Sequence, residues 1–113
     1  MKRGDIYLAN FPFGDTGAMK LRPVLLLTGP VGSVPEVLVA YISSVLPRSP
    51  LNSDVILDPS TPDGLSTRLK MTSVLRLHKL ATIHQRNLVH HLGSLAAATG
   101  AEVGNKLRSL LNV

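Results

Sequence analysis

Short apolar runs, separated by breaks rich in proline and glycine, occupy most of the chain up to residue 84. Runs of this length with branched and aromatic residues are typical of β-strands. The sequence predicts strands over Asp5–Phe11, Pro23–Thr28, Val37–Ser44, Asp54–Leu57 and Met71–Leu77, with Ala81–Ile83 as a short continuation. Every residue from Val24 to Leu27 is apolar, which predicts that the second strand is buried on both faces.

Helical spacing of apolar residues appears only after residue 84. In Gln85–Leu92 such residues recur on one helical face and Gly93 follows where many helices end, so a short helix is predicted there. Thr99 and Glu102 fit a capping box. An apolar stripe follows at Val103, Leu107, Leu110 and Leu111. This order predicts a small α+β fold, a compact barrel of about five strands with a short helix and a C-terminal helix.

Composition limits the possible functions. The chain has 113 residues, 44% of them hydrophobic, which predicts a single domain spanning 1–113. The net charge of +5 favours an acidic partner such as RNA, DNA, a membrane surface or an acidic protein, and charge alone does not choose among them. There are no cysteines, which excludes disulfides, thiolate zinc sites and cysteine nucleophiles.

The N-terminal sequence becomes polar at once and lacks the apolar stretch of a signal peptide. No apolar run approaches the ~20 residues of a spanning helix. We therefore expect a soluble, cytoplasmic protein that does not enter a membrane.

Two residues near the second strand have candidate roles in binding. Pro23 lacks an amide proton and suits the first position of a strand, which places Arg22 at the strand entrance. Arg22 there either grips a phosphate or is a surface arginine that ends a loop. Phe13, in the long loop before it, either stacks on a nucleobase or folds back onto the core.

The four histidines raise the question of a zinc site. His90 and His91 would point about 100° apart on a helix, which does not match ordinary ligand spacing. They fit better as surface residues near a helix C-terminus. We expect neither a metal ion nor a cofactor.

Five pieces of the chain, in this order and at these spacings, resemble the MazF/PemK family of toxin endoribonucleases. They are Arg3–Tyr7, Arg22–Leu25, Ile42–Ser44, Gly64-Leu65 with Thr72–Leu75, and Leu88–Gly93. The resemblance implies an SH3-like barrel with a C-terminal helix, in a homodimer. It also implies metal-independent cleavage of single-stranded RNA at short sequences and inhibition by a cognate antitoxin protein.

The same resemblance implies catalytic roles for particular residues. It carries the arginine of the family's Arg-Pro pair to Arg22, the catalytic threonine to Ser43, and an arginine and an aspartate of the fifth strand to Arg76 and His78. Histidine in place of aspartate is a departure, but imidazole is a competent acid or base near neutral pH. Further substrate contacts are expected at Phe13, Asp15, Lys20, Pro23 and Ser44.

The chemistry fits these residue types. Attack by the ribose 2′-OH requires a base, an acid and cations for the phosphorane charge. Arg22 and Arg76 would supply the charge, His78 the proton transfer, and Ser43 a hydroxyl directed at the phosphate. Each has a simpler alternative: Arg76 and His78, one residue apart, would share a solvated strand face, and Ser43 would satisfy strand-end amides.

Two other functions stay open. CcdB proteins share this barrel but poison DNA gyrase through a C-terminal tail that carries tryptophan, and this chain has no tryptophan. A non-catalytic basic barrel that binds RNA in a salt-sensitive way is the second alternative.

Overall fold

The computed structural model describes residues 1–11 and 20–113, so the residues expected to bind substrate at Phe13 and Asp15 lie outside the described part. The strands are β1 (Asp5–Phe11), β2 (Lys20–Leu26), β3 (Glu36–Ser43), β4 (Asp54–Leu57), β5 (Ser73–His84) and β6 (Leu88–Ser94). One α-helix, α1 (Ala97–Leu111), follows the strands, and short 3₁₀ turns occur at Leu65–Thr67 and Gln85–Asn87.

The strands form one antiparallel sheet in the order β4-β5-β3-β2-β1-β6. Within the described residues β4 and β6 are edge strands that do not pair with each other, so the sheet is not closed. The α+β class with a C-terminal helix is confirmed, although an open sheet of six strands is a barrel only in a loose sense.

Burial on both faces of β2 is confirmed. Leu25 and Leu27 point into a core that contains Ile42, Leu75 and Val103 of α1. Val24 and Leu26 belong to a second cluster on the other face. The second cluster also contains Ala9, Val37, Val39, Ile83 and Leu88. The ends of β2 and β3 therefore lie between two packed layers, which holds the residues beside them in place.

The start of β2 differs from the prediction. The strand begins at Lys20, so Pro23 lies inside it, opposite Leu8 of β1. Pairing between β2 and β3 begins only at Val24. Pro23 is tolerated because it lies just outside the β2–β3 pairing, so β3 requires no amide proton from this position.

The predicted helix over Gln85–Leu92 is wrong. A 3₁₀ turn at Gln85–Asn87 leads into β6, which pairs with β1. His84 caps this turn, since its Nδ1 accepts the N–H of Arg86 at 3.0 Å. Short apolar patterns fit either a helix or a strand, and the open edge of β1 decides in favour of the strand.

The capping box at Thr99 is also wrong. α1 begins at Ala97 after the N-cap Ala96, which makes no side-chain capping bond. Thr99 therefore lies in the first turn. Only the first half of the apolar stripe packs: Val103 is buried, whereas Leu110 and Leu111 are exposed. Among the described helices none is both long and apolar enough to cross a bilayer.

The fifth predicted strand and its continuation are one strand with a bulge. Tyr41 and Ala40, adjacent on β3, pair with Arg76 and Leu80 of β5. The residues between, Leu77 to Lys79, have no partner on β3. Such a bulge redirects side chains locally, and it changes where His78 lies.

Candidate functional site

Cross-strand register brings polar residues together on one face of the sheet. Tyr41 of β3 lies opposite Val24 of β2 and Arg76 of β5. Because side chains alternate along a strand, Arg22 and Ser43 share that face with Tyr41. We call these four residues, Arg22, Tyr41, Ser43 and Arg76, the arginine face. It lies on the opposite side of the sheet from the core that includes α1.

Arg22 is half-buried on β2, immediately before Pro23. Its Nε is buried and has no hydrogen-bond partner among the described residues. A buried donor normally has a partner. An arginine with an unsatisfied donor at the end of a strand ladder is thus suited to receive an anionic ligand.

Ser43 ends β3, and its hydroxyl contacts the backbone nearby. Its Oγ accepts the N–H of Val45 at 3.1 Å and lies 3.5 Å from the carbonyl oxygen of the same residue. This is the strand-end role that the sequence analysis gave as the simpler alternative. One lone pair of the oxygen is used in this turn, and the hydroxyl remains on the arginine face.

Arg76 is held by a carboxylate that sequence reasoning missed. Its Nε lies 2.9 Å from Oδ1 of Asp54, the residue paired with it on β4. In an antiparallel pair a side chain diagonal to its neighbour is about 7–8 Å away, and Arg76 has this relation to Ser43. Arg76 is thus fixed beside the strand end that carries Ser43.

An aromatic ring completes the arginine face. Tyr41 is half-buried, and Nζ of Lys79 lies 5.7 Å from the centre of its ring. Lys79 is in the bulge of β5, which brings this cation over β3. The sequence offered no signal for this contact, because it depends on the bulge.

The structure does not bring His78 together with Arg22 or Ser43. The bulge directs His78 into a groove of about 320 Å³ between the 51–53 segment and α1. There it lies among Leu51, Asn52, Ser53, Lys106, Ser109 and Leu110. The expectation that Arg76 and His78 share a strand face fails because the strand is irregular between them.

A second cavity, of about 310 Å³, opens at the same strand ends on the side of the sheet that carries Ile42 and Leu92 of the core with α1. Arg22, Pro23 and Ser44 contribute to its wall, and so do two cations that sequence reasoning missed, Arg68 and Lys70. The remaining lining is mainly apolar: Leu8, Leu21, Ile42, Leu69, Met71, Ser73 and Leu92. Lys20 is exposed at the start of β2, outside this lining.

The remaining histidines lie on strands, so the expected helix-terminal setting is wrong. His91 packs edge-on against Tyr7, with 5.0 Å between ring centres, and its Nε2 lies 3.9 Å from Oδ1 of Asp5. His90 lies beside it on β6. No three metal-ligating side chains cluster within the described ranges.

One carboxyl group outside the site has a perturbed pKa. Hydrogen bonds from the side chain and the backbone N–H of Ser60 lower the pKa of Asp58. Asp58 belongs to the turn between β4 and Leu65, where its carbonyl also accepts bonds from Thr61. Its ionised form stabilises this turn and plays no part in the arginine face.

The fold is a six-stranded antiparallel sheet followed by one C-terminal helix, with arginines at its strand ends. Over residues 2–111 the chain matches the PemK-like, MazF-like toxins of type II toxin–antitoxin systems, and it belongs to that family. No curated protein sequence matches the chain.

Several solved structures are similar to the chain throughout. Toxin MazF-mt6 of Mycobacterium tuberculosis has a TM-score of 0.72 and 23% identity, covering 96% of this chain and 97% of that chain. MazF of Deinococcus radiodurans has a TM-score of 0.70 and 20% identity, and the match covers 100% of this chain and 97% of that chain. A mycobacterial endoribonuclease in complex with its cognate antitoxin has a TM-score of 0.70 and 18% identity, and the match covers 100% of this chain and 96% of that chain. At such identities the likeness shows a common fold.

Proposed function

We propose that this toxin is a sequence-specific endoribonuclease that cleaves single-stranded RNA without a metal ion and is neutralised by a cognate antitoxin. It acts in the cytoplasm as a homodimer, with residues 1–113 forming one domain. The observation that carries the proposal is the arginine face, because it combines two guanidinium groups and a hydroxyl at one strand end.

The reaction begins with attack of the ribose 2′-OH on the adjacent phosphorus. The attacking hydroxyl loses its proton, the bond from phosphorus to the 5′-oxygen breaks, and that oxygen gains a proton. Arg22 and Arg76 stabilise the charge that develops on the phosphorane oxygens, since guanidinium groups bind such oxygens in pairs. Ser43 donates its hydroxyl hydrogen to the same phosphate.

His78 is our proposed acid or base. It lies across the bulge from Arg76, in the groove beside α1. Imidazole exchanges protons near neutral pH. A substrate strand that crosses the bulge would place a ribose near His78 while a phosphate contacts Arg76.

The cavity at the strand ends supplies the proposed contacts to the rest of the RNA. Arg68 and Lys70 at its wall add positive charge next to Arg22, and Lys20 extends this charge along β2. Its apolar interior accommodates an unstacked base, which is how proteins usually read single-stranded RNA. Pro23 and Ser44 are the proposed contacts between this base and the strand ends.

Neutralisation by an antitoxin is supported by the structural neighbours. One mycobacterial endoribonuclease of this fold was solved with its cognate antitoxin. A MazE–MazF complex of Deinococcus radiodurans has the same fold, with 21% identity and a TM-score of 0.68. The antitoxin of the present protein is a separate chain.

Cleavage in the presence of EDTA tests the proposal. We expect the wild-type protein to cut a long single-stranded RNA at a few short sequences, and to leave DNA of the same sequence intact because DNA lacks the 2′-OH. End mapping gives the sites, and heat-denatured protein is the control. A parallel reaction with His78→Ala shows whether this imidazole exchanges the proton. Intact RNA after prolonged incubation with folded wild-type protein would contradict the proposal.

A non-catalytic RNA-binding module is the second candidate. It is favoured by the hydroxyl of Ser43, which is engaged with Val45, and by the separation of His78 from Arg22. In this case the same protein binds RNA without cutting it. The affinity then falls steeply with salt, because Lys and Arg contacts to phosphate release counterions.

A further inference from the structure

We infer that Asp54 is the positioning residue for Arg76, and that it turns the outer end of that guanidinium toward the scissile phosphate. The inference rests on the proposed function, and it names a residue that neither the sequence pattern nor the family resemblance indicated. Asp54 does not touch the substrate in this arrangement; it acts through Arg76.

The carboxylate of Asp54 is fixed from two sides. Its Oδ2 accepts the N–H of Leu51 at 2.8 Å, which holds the side chain in one orientation. Its Oδ1 lies 2.9 Å from Nε of Arg76. The Asp54 side chain is 1% exposed and that of Arg76 is 19% exposed, so the pair is largely removed from water.

The backbone of Asp54 is fixed as well. Lys106 of α1 donates from Nζ to the carbonyl oxygen of Asp54 at 2.7 Å. The same Nζ lies 3.4 Å from a carboxylate oxygen of Glu102, one turn earlier on the helix. This hydrogen bond connects the start of β4 to α1, and it fixes the backbone from which the carboxylate reaches Arg76.

Oδ1 of Asp54 and Nε of Arg76 are both buried, and the Nε–H direction falls outside hydrogen-bond geometry despite the short distance. Neither atom has another hydrogen-bond partner in the described part of the chain. Burial of two charges costs desolvation that largely offsets their attraction, so such a pair contributes more to geometry than to net stability.

The geometry has a direct consequence for phosphate binding. The carboxylate of Asp54 occupies the space beside Nε, which leaves the two Nη groups, the carriers of most of the guanidinium donors, to bind a phosphate. Arg76 lies opposite Tyr41 and diagonal to Ser43 on the arginine face. A phosphate beside Ser43 therefore meets an arginine whose rotamer is set before the substrate arrives, which removes an ordering cost from the transition state.

The variant Asp54→Asn tests this inference, with Asp5→Asn as a matched control. Asp5 is also a buried aspartate that accepts a backbone N–H, but it contacts the N-terminus and His91 instead of an arginine of the site. We expect Asp54→Asn to lower kcat for RNA cleavage about 10- to 100-fold, with KM changed less than about twofold. Asp5→Asn should cleave at nearly the wild-type rate.

A double-mutant cycle separates positioning from a general structural effect. Adding Asp54→Asn to Arg76→Ala should cause no further loss of kcat, because the residue that Asp54 orients is already absent. A purely structural role for Asp54 would lower kcat again in the Arg76→Ala background. Additive losses, or wild-type kcat in Asp54→Asn alone, would overturn the inference.

A third measurement needs neither RNA cleavage nor a folded variant. NMR on the free wild-type protein gives the rate at which the Arg76 Nε proton exchanges with water. Slow exchange at Arg76, relative to the exposed Arg86, supports the fixed ion pair, and equal exchange overturns it. If the wild-type protein cuts no RNA, the proposed function fails. The exchange measurement still decides whether the guanidinium of Arg76 is held in a protected position beside Asp54.

Discussion

Arg22→Ala is expected to abolish detectable RNA cleavage while leaving the protein folded. The side chain lies at the end of the β2–β3 ladder, and its buried Nε has no hydrogen-bond partner among the described residues. Its removal therefore leaves no described partner unpaired. Loss of one charge-stabilising donor typically costs about 10²–10³-fold in kcat, and loss of a full guanidinium should cost at least this much. Single-turnover cleavage of a mapped RNA site measures the effect.

Two further variants show what the guanidinium contributes. Arg22→Lys keeps the charge but loses the paired donors, so it should recover only part of the rate. Arg86→Ala removes an exposed arginine from the 3₁₀ turn before β6 and should cleave like the wild type. Wild-type cleavage by Arg22→Ala, with an unchanged circular dichroism spectrum, would remove Arg22 from the site.

Gly93→Ala is expected to destabilise the fold strongly. A Cβ at Gly93 would clash with the carbonyl oxygen of Ser66 and would lie 2.7 Å from that of Thr67. Both are backbone atoms of the 3₁₀ turn, which also contacts β6 through the Ser66 hydroxyl and the carbonyl of Ser94, 2.8 Å apart. Relief of the clash requires β6 and the turn to separate. We expect a loss of about 1–3 kcal/mol or more in the free energy of unfolding, measured with urea.

Gly100→Ala is the matched control for this change. Gly100 lies inside α1, where an added Cβ has nothing within 4 Å. Alanine is favoured over glycine in a helix, so this variant should gain up to about 1 kcal/mol. If Gly93→Ala unfolds at the wild-type urea concentration, then β6 does not approach the turn as closely as described.

The local sequence pattern was sufficient to locate the first four strands, although not to bound β2. The bounds of β1 and β4 are those predicted, because each is a short run of strand-forming residues between strong turn signals. The β6 segment was predicted to be a helix because, over so short a stretch, its apolar residues fit both the helical period of about 3.6 and the strand period of about 2. Its pairing with β1 is a non-local contact, and no local signal contains it.

The residues of the candidate site likewise separate into those that the sequence indicated and those that only the strand pairing shows. Arg22 was predicted as a site residue from the sequence pattern, and Ser43 and Arg76 from the family resemblance; the strand register places all three on the arginine face. Asp54 was missed because only the register of β4 against β5 places a carboxylate beside Arg76. Its position at the start of a strand, after a turn, carried no such signal. The bulge that separates His78 from Arg76 arises from the pairing of β5 with β3, and no local sequence signal contains that pairing.

A single 2′-deoxy substitution gives the most direct test of the central claim. An RNA oligonucleotide containing one mapped cleavage site is compared with the same oligonucleotide carrying 2′-deoxyribose only on the 5′ side of the scissile phosphate, both in EDTA. We expect the first to be cut, with a 2′,3′-cyclic phosphate on the upstream product, and the second to remain intact at that position. Equal cutting of both oligonucleotides would contradict attack by the 2′-OH and the proposed roles of the arginine face.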